Sequence, residues 1–160
     1  MKVSNVLFEK IKPEDTALIQ LIADWYLKEW HIPAGTTIQK LSIPATEAVP
    51  FQIIMSIDNV PIATGGLYYH VALLDREPKF NIYGPWLALV YTTTENRNKG
   101  YGALLCEKIE DVAKDLGLKE IFLFTHTAES LYTRLGWTPF ERLAIKDRNI
   151  VVMKKELEPM

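Results

Sequence analysis

The stretch that most constrains the fold of this chain runs from Pro85 to Ala103. An apolar, β-prone run, Trp86 to Tyr91, leads through a polar turn into a segment with helical periodicity from Leu104 onward. Between them lies a basic loop, Arg97-Asn98-Lys99-Gly100-Tyr101-Gly102. Its glycines permit positive φ and close approach of the backbone, and the helix that follows offers unpaired N–H groups and the positive end of its dipole. The order strand, glycine loop, helix therefore predicts a site for a phosphate-bearing ligand.

Two familiar glycine-rich phosphate sites do not fit this loop. A dinucleotide-binding fingerprint needs a third glycine at the position that Leu105 occupies. A Walker loop ends in Gly-Lys-Ser/Thr, whereas here Lys99 precedes Gly100. Both interpretations fail on spacing.

The composition indicates a soluble globular protein, and a length of 160 residues predicts a single domain over residues 1–160. With a net charge of −2, the chain has no basic excess for binding nucleic acid. The N-terminus lacks the apolar core of a signal peptide and no run is long enough to cross a bilayer, so we expect a cytoplasmic protein without a membrane partner. The single cysteine, Cys106, excludes a multi-cysteine metal site and is expected to be a buried structural thiol.

The periodicity along the chain predicts a mixed α/β domain. Strands are predicted at residues 3–9, 51–57, 62–69, 86–91, 121–125, 137–143 and 149–155. Helices are predicted from a start at residues 12–15 to Trp30, from a cap at Thr36 or Thr37 to Leu41, and over residues 104–116 and 127–135. Residues 74–84 are predicted to be a polar loop, and the pair Gly65-Gly66 predicts a bulge or a close backbone approach. The helix between the two most apolar strands predicts that they are parallel.

Two motifs resemble those of the GCN5-related N-acetyltransferases. Arg97-x-x-Gly100-x-Gly102, followed by Ala103, is similar to the acetyl-CoA signature Arg/Gln-x-x-Gly-x-Gly/Ala of that family. Downstream, Ala128-x-x-Leu131-Tyr132-x-x-x-Gly136-Trp137 is similar to a second family motif that ends in Gly-Phe. The order of predicted elements agrees as well, and Glu29-Trp30 with Pro85-Trp86-Leu87-Ala88 looks like a subgroup of small bacterial acetyltransferases.

The resemblance implies a mostly antiparallel mixed sheet with a central parallel strand pair flanked by helices, and acetyl-CoA as co-substrate without a metal. It implies that the loop wraps the pyrophosphate and that the central strand pairs with the pantetheine amides, with the Thr92 N–H as oxyanion donor. The implied cofactor-binding residues are Val90, Thr92, Arg97, Asn98, Lys99, Gly100, Tyr101, Gly102, Ala103 and Thr125. Thr125 departs from the family, where asparagine is usual, but it retains a hydroxyl.

Tyr132 is the implied general acid, since the thiolate that leaves during acetyl transfer needs a proton. The central strand carries no carboxylate for a general base, and Glu95, in the turn that follows it, is expected to face solvent. The candidates left open are Glu29, Glu47, His70, Asp75 and His126. Trp25, Tyr26, Trp30, Tyr69 and Trp86 either line the acceptor pocket or pack the core, and core packing is favoured for most of them.

The resemblance therefore implies direct transfer of an acetyl group to a primary amine of a small molecule or peptide in a ternary complex. It also allows a homodimer. A non-catalytic acyl-CoA-binding module on the same fold is the competing interpretation, and an enzyme that binds nucleotide phosphates is a third.

Overall fold

The structure, a computed structural model, describes residues 5–158, and seven strands of this range form one sheet. They are β1 (Val6–Lys10), β2 (Phe51–Ile57), β3 (Val60–Tyr68), β4 (Trp86–Thr92), β5 (Glu120–Thr125), β6 (Thr138–Ile145) and β7 (Arg148–Glu156). Their order in the sheet is β1-β2-β3-β4-β5-β7-β6. β4 and β5 are parallel, whereas β1–β2, β5–β7 and β6–β7 are antiparallel. The predicted mixed sheet with a central parallel pair is confirmed.

Within the described range, five α-helices flank the sheet: α1 (Thr16–Trp30), α2 (Ala34–Ser42), α3 (Ala72–Arg76), α4 (Tyr101–Asp115) and α5 (Glu129–Arg134). 3-10 turns at Pro78–Ile82 and Thr94–Asn96 lie before and after β4. Within residues 5–158, no helix has both the length and the apolar character that crossing a membrane requires.

Local signals in the sequence set several helix ends. The Asp15 carboxylate accepts a hydrogen bond from the Lys12 N–H at 2.8 Å, immediately before α1 begins. α1 ends at Trp30, and His31, the residue that follows, adopts the left-handed conformation. Beyond α4, Gly117 has a φ of +81°, and the Leu118 N–H bonds the Ala113 carbonyl at 3.1 Å. This glycine stops the helix as predicted, because a positive φ is accessible to glycine without steric cost.

The chain forms two compact units. The first contains residues 5–66 and Leu89–Ile109. Its core includes Ile22 and Tyr26 of α1, Ile54 of β2 and Tyr91 of β4, with Leu89 packed against them. At Gly65 the close neighbour is a side chain, not another backbone, because a Cβ built there would lie 3.1 Å from Val90 Cγ2.

The second unit contains Leu67–Ala88 and residues 110–158. Its interior holds a group of aromatic rings with neighbouring centroids 5.1 to 6.4 Å apart, formed by Phe80, Tyr83, Trp86, Phe122, Phe124 and Phe140. The parallel pairing joins Trp86 of β4 to Phe122 of β5. Trp86 is fully buried and donates its indole N–H to the Tyr83 carbonyl at 3.1 Å.

Two predictions for local structure are wrong. Residues 74–84 are not a plain loop, because α3 and the first 3-10 turn bury Leu74 and Phe80. The charged residues Asp75, Arg76 and Lys79 stay exposed. α2 is not capped by Thr36 or Thr37; it begins at Ala34 after Pro33, and Thr37 is buried.

The other element predictions are confirmed to within a few residues, and Cys106 is buried. Val3 and Ser4, the start of the first predicted strand, lie outside the described residues.

Candidate functional site

The loop between β4 and α4 has the backbone geometry of an anion site. Asn98 and Gly100 both have positive φ, +63° and +85°. The first hydrogen bond of the helix runs from the Leu104 N–H to the Gly100 carbonyl at 3.2 Å. The N–H groups of residues 101–103 precede it, so helix geometry gives them no carbonyl within the helix. These groups and the helix dipole favour a bound phosphate at this end of α4.

The two signature glycines have different physical reasons. A Cβ on Gly100 would meet nothing within 4 Å, so it is the positive φ that favours glycine there. Gly102 is helical, and a Cβ would lie 3.7 Å from Thr92 Oγ1, which is an ordinary contact. Within the described chain, neither a positive φ nor a steric clash requires glycine at position 102.

β4 departs from regular strand geometry at Leu89, whose φ is +60°. The Leu89 carbonyl accepts a hydrogen bond of 2.6 Å from the Tyr26 hydroxyl of α1. Leu89 and Tyr91 pack toward α1, whereas the Val90 side chain lies beside Gly65 on β3. The backbone of the predicted pantetheine strand is therefore distorted one residue before Val90.

Arg97 makes contacts to protein groups of the first unit. Its Nε donates to the Thr92 carbonyl at 2.8 Å, and Nη2 donates to Glu29 Oε2 at 2.9 Å. The guanidinium carbon lies 5.4 Å from the centroid of the Tyr91 ring. The hydrogen bond to Glu29 raises the pKa of Arg97 above its ordinary value, and burial raises the pKa of Tyr91. Arg97 thus links the loop to β4 and α1, and phosphate binding by its side chain stays a prediction.

The aromatic residues named as pocket candidates differ in their surroundings. Tyr26 and Trp86 are core residues at 1% and 0% exposure. Trp25 stacks on Tyr91 at 5.2 Å, and Trp30 meets the same ring edge-on at 6.1 Å. Trp30 and Tyr69 are exposed, so they are the two members of the set most accessible to a ligand.

In the second unit, Tyr132 lies in the middle of α5 and is partly buried. Its ring packs edge-on against Trp137 at 6.0 Å, and the Trp137 N–H bonds the Tyr132 carbonyl at 3.0 Å. Gly136, between them, has a φ of +95°. Part of the second motif is therefore structural, since it ends α5 and turns the chain into β6.

Thr125 lies at the end of β5, and its hydroxyl organises the start of α5. Thr125 Oγ1 accepts hydrogen bonds from the N–H groups of Ala128 at 3.1 Å and Thr127 at 3.4 Å. The hydroxyl proton can still be donated to a ligand, because an oxygen of this type both accepts and donates.

A cavity of about 500 Å³ opens beside the start of α5. It is lined by Thr125, His126, Thr127, Glu129, Ser130, Arg142, Leu143, Asn149, Ile150 and Val151. Among the described residues of this lining, Glu129 is the single carboxylate, and Arg142 binds it through two hydrogen bonds of 2.7 and 2.8 Å. These bonds lower the pKa of Glu129, so it is ionised and paired. The cavity offers hydroxyl and amide groups but no unpaired carboxylate.

The candidate bases are dispersed over the structure. Glu29 is bound to Arg97, and His70 Nε2 lies 2.9 Å from Asp75 Oδ1 in an exposed pair. Glu47 and Glu95 are exposed, and His126 is the one candidate that lines the cavity. Among residues 5–158, no group of three or more His, Cys, Asp or Glu side chains is arranged to hold a metal ion.

A model of the acetyltransferase (GNAT) family matches residues 16–137, more than half of the chain. The chain belongs to the GNAT acetyltransferase family. The match includes the loop, α4 and the motif on α5, and the membership implies acetyl transfer that depends on an acyl-CoA. A comparison with curated proteins found no match.

Solved GNAT structures share this fold at low sequence identity. A GNAT acetyltransferase from Streptococcus pneumoniae has a TM-score of 0.72 and 15% identity over 96% of this chain and 100% of its own. An aminoglycoside 6′-N-acetyltransferase complexed with coenzyme A has a TM-score of 0.74 and 13% identity over 96% and 98%. The ribosomal-protein-S18-alanine N-acetyltransferase from Escherichia coli has a TM-score of 0.67 and 12% identity over 98% and 96%.

Proposed function

We propose that this chain is an acetyl-CoA-dependent N-acetyltransferase, a single domain over residues 1–160 that works in the cytoplasm. It would transfer the acetyl group to a primary amine of a small molecule or peptide by direct attack in a ternary complex. The observation that carries the proposal is the loop at residues 97–103, whose signature spacing coincides with positive φ at Gly100 and the open N-terminus of α4.

In this proposal the N–H groups of residues 98–103 bind the pyrophosphate, and Lys99, which is exposed, adds positive charge. The backbone of Val90 and Thr92 binds the pantetheine arm, with the Thr92 N–H facing the oxyanion. The Thr92 carbonyl accepts from Arg97, which fixes one side of this residue, and an oxyanion needs an N–H donor such as that of Thr92. Thr125 donates its hydroxyl to the cofactor arm. The neighbouring acetyltransferase that was solved with coenzyme A supports this class of co-substrate.

Tyr132 is proposed to protonate the thiolate of CoA as the C–S bond breaks. The nucleophile is a neutral amine that attacks the thioester carbonyl, and the ammonium of the tetrahedral intermediate loses a proton to a base or to water. The base is not assigned to one residue, although His126 lines the cavity of the second unit. The cavity itself is proposed to receive the acceptor.

The lining of the cavity favours a class of acceptor. A polycation would need several unpaired carboxylates, whereas the one carboxylate of the lining, Glu129, is bound to Arg142. A monoamine or a peptide N-terminus with hydroxyl or amide neighbours fits better. The neighbours include acetyltransferases named for an aminoglycoside and for a ribosomal protein, so both small-molecule and protein amines belong in the test.

The test is an acetyl-CoA titration followed by a thiol-release assay across a panel of polyamines, aminoglycosides, monoamines and peptides. With the best acceptor, Tyr132→Phe is expected to lower kcat about 100-fold or more and leave the Kd of acetyl-CoA within about twofold. Tyr83→Phe is the matched control, since Tyr83 packs on Phe122 and Phe140 and has no proposed role in the reaction. An unchanged kcat in Tyr132→Phe would remove this residue from the mechanism.

The competing function, a non-catalytic acyl-CoA-binding module, is favoured by the lack of a carboxylate on β4. It predicts binding of acetyl-CoA without thiol release for every amine in the panel. Binding of ATP in place of CoA esters would instead support the nucleotide-phosphate interpretation.

A further inference from the structure

The positive φ of Leu89 requires a stabilising partner. A leucine in the left-handed region is disfavoured by contact of its Cβ with the backbone, and β4 is otherwise extended. The described contact at this point is the 2.6 Å hydrogen bond from the Tyr26 hydroxyl to the Leu89 carbonyl. It links α1 to β4 across 63 residues of sequence.

Buried groups fix the direction in which the Tyr26 hydroxyl donates. Gln52 Nε2 donates to the Tyr26 oxygen and to Thr64 Oγ1, both at 2.8 Å, and the Thr64 hydroxyl donates to the Ile53 carbonyl at 2.8 Å. Because carbonyl oxygens only accept, both hydroxyl protons in this series are committed to the two carbonyls. Tyr26, Gln52 and Thr64 are all at most 2% exposed, so water does not compete for them.

The orientation of the Leu89 carbonyl determines that of the next N–H. The peptide bond between Leu89 and Val90 is planar and trans, so the Val90 N–H points opposite to the Leu89 carbonyl, away from the Tyr26 hydroxyl. Val90 is one of the two residues whose backbone is proposed to bind the pantetheine arm. Rotation of this peptide would turn the Val90 N–H out of the position that it has beside the left-handed Leu89.

We propose that Tyr26 is a positioning residue for acyl-CoA binding: its hydroxyl holds the Leu89–Val90 peptide in the orientation that the cofactor requires. The inference rests on the proposed function, since it assigns the cofactor to β4. Tyr26 itself is buried and acts through the strand. Gln52 supports this role of Tyr26. Because the Gln52 amide donates to the Tyr26 oxygen, the hydroxyl proton of Tyr26 is donated to the Leu89 carbonyl.

The test is Tyr26→Phe, which keeps the ring that packs against Trp30 at 5.2 Å. The control is Tyr68→Phe, which removes another buried tyrosine hydroxyl and has no role in the proposal. Calorimetry should show about tenfold weaker acetyl-CoA binding in Tyr26→Phe, the equivalent of one buried hydrogen bond. The KM for acetyl-CoA should rise by a similar factor, whereas kcat should change less than threefold. Tyr68→Phe should bind as the wild type does.

A second measurement does not depend on cofactor binding. The NMR ¹³Cα and ¹³Cβ shifts of Leu89 report its φ, and they should move toward extended values in Tyr26→Phe and stay unchanged in Tyr68→Phe. Unchanged Leu89 shifts, or equal weakening of binding in both variants, would overturn the inference. If the wild type fails to bind acetyl-CoA, the proposed function fails, while the Leu89 shifts still decide whether Tyr26 maintains the positive φ of Leu89.

Discussion

The substitution Lys155→Met tests an ion pair that fixes the end of α5 within the second unit. Lys155 Nζ lies 2.5 Å from Glu110 Oε1 and donates to the Leu135 carbonyl, just beyond α5, at 2.6 Å. Glu110 is 4% exposed, and its other oxygen, Oε2, has no hydrogen-bond partner among the described residues. Methionine keeps most of the apolar stem of lysine, so the substitution removes chiefly the charge and the donors.

The expected loss of stability has two parts. A buried carboxylate left without its counter-charge either stays ionised, at a cost of about 3–5 kcal/mol, or takes up a proton. A glutamate in an unfolded chain ionises near pH 4.3, so protonation at pH 7 costs about 3.7 kcal/mol, and this sets a ceiling for the first part. Loss of the bond to Leu135 adds about 1 kcal/mol. We expect a total loss of stability of about 3–5 kcal/mol at pH 7. At pH 5, protonation of a glutamate costs only about 1 kcal/mol, so the unpaired carboxylate can contribute no more than that to the loss.

The assay is urea unfolding of wild type and variants at pH 7 and pH 5. Lys154→Met is the matched control on the same strand. Lys154 lies over the Phe140 ring at 6.0 Å, so this variant should lose less than about 1 kcal/mol of its free energy of unfolding. The double variant Lys155→Met/Glu110→Met should recover most of the stability, since replacing a buried pair by apolar side chains is often neutral. A loss below about 1 kcal/mol, or one equally large at both pH values, would refute the reasoning.

Two further predictions concern the loop at residues 97–103 and its partner Glu29. Gly100→Ala should lower the free energy of unfolding by about 1 kcal/mol because its φ is +85°, and should weaken acetyl-CoA binding in calorimetry. Gly35→Ala, at an equally open position inside α2, should be neutral or stabilising, and equal losses in both variants would contradict this explanation. Glu29→Gln should strengthen acetyl-CoA binding several-fold at low salt by freeing the charge of Arg97 for phosphate. Weaker binding would show that Glu29 instead holds Arg97 in its working position.

Much of the fold could be predicted because its signals are local. The apolar repeat of α1 and the glycines at 117 and 136, with φ of +81° and +95°, require only neighbours in sequence. The two short helical segments within residues 72–82 were missed for a related reason. They bury only a few side chains, and their charges and Pro78 resemble those of a loop.

The candidate site was predictable only as a spacing of motif residues. Nothing in the β-prone run from Trp86 to Tyr91 predicts a positive φ at Leu89, because its hydrogen-bond partner, Tyr26, lies 63 residues away. The partner of Arg97, Glu29, is 68 residues away, and from the sequence Glu29 is only one of several candidate bases. Such contacts depend on how α1 packs in the first unit, which no local pattern encodes.

The acetyl-CoA signature therefore combines residues with separate physical roles. Gly100 supplies a backbone conformation, and Gly102 leaves space at the N-terminus of α4. Arg97 bonds the carbonyl of Thr92, the residue whose N–H is proposed to face the oxyanion. Since Tyr26 holds the Leu89 carbonyl and the Glu29–Arg97 pair reaches the Thr92 carbonyl, α1 contacts both ends of the proposed pantetheine strand. Substitutions in α1 should therefore alter acetyl-CoA affinity without any contact to the cofactor.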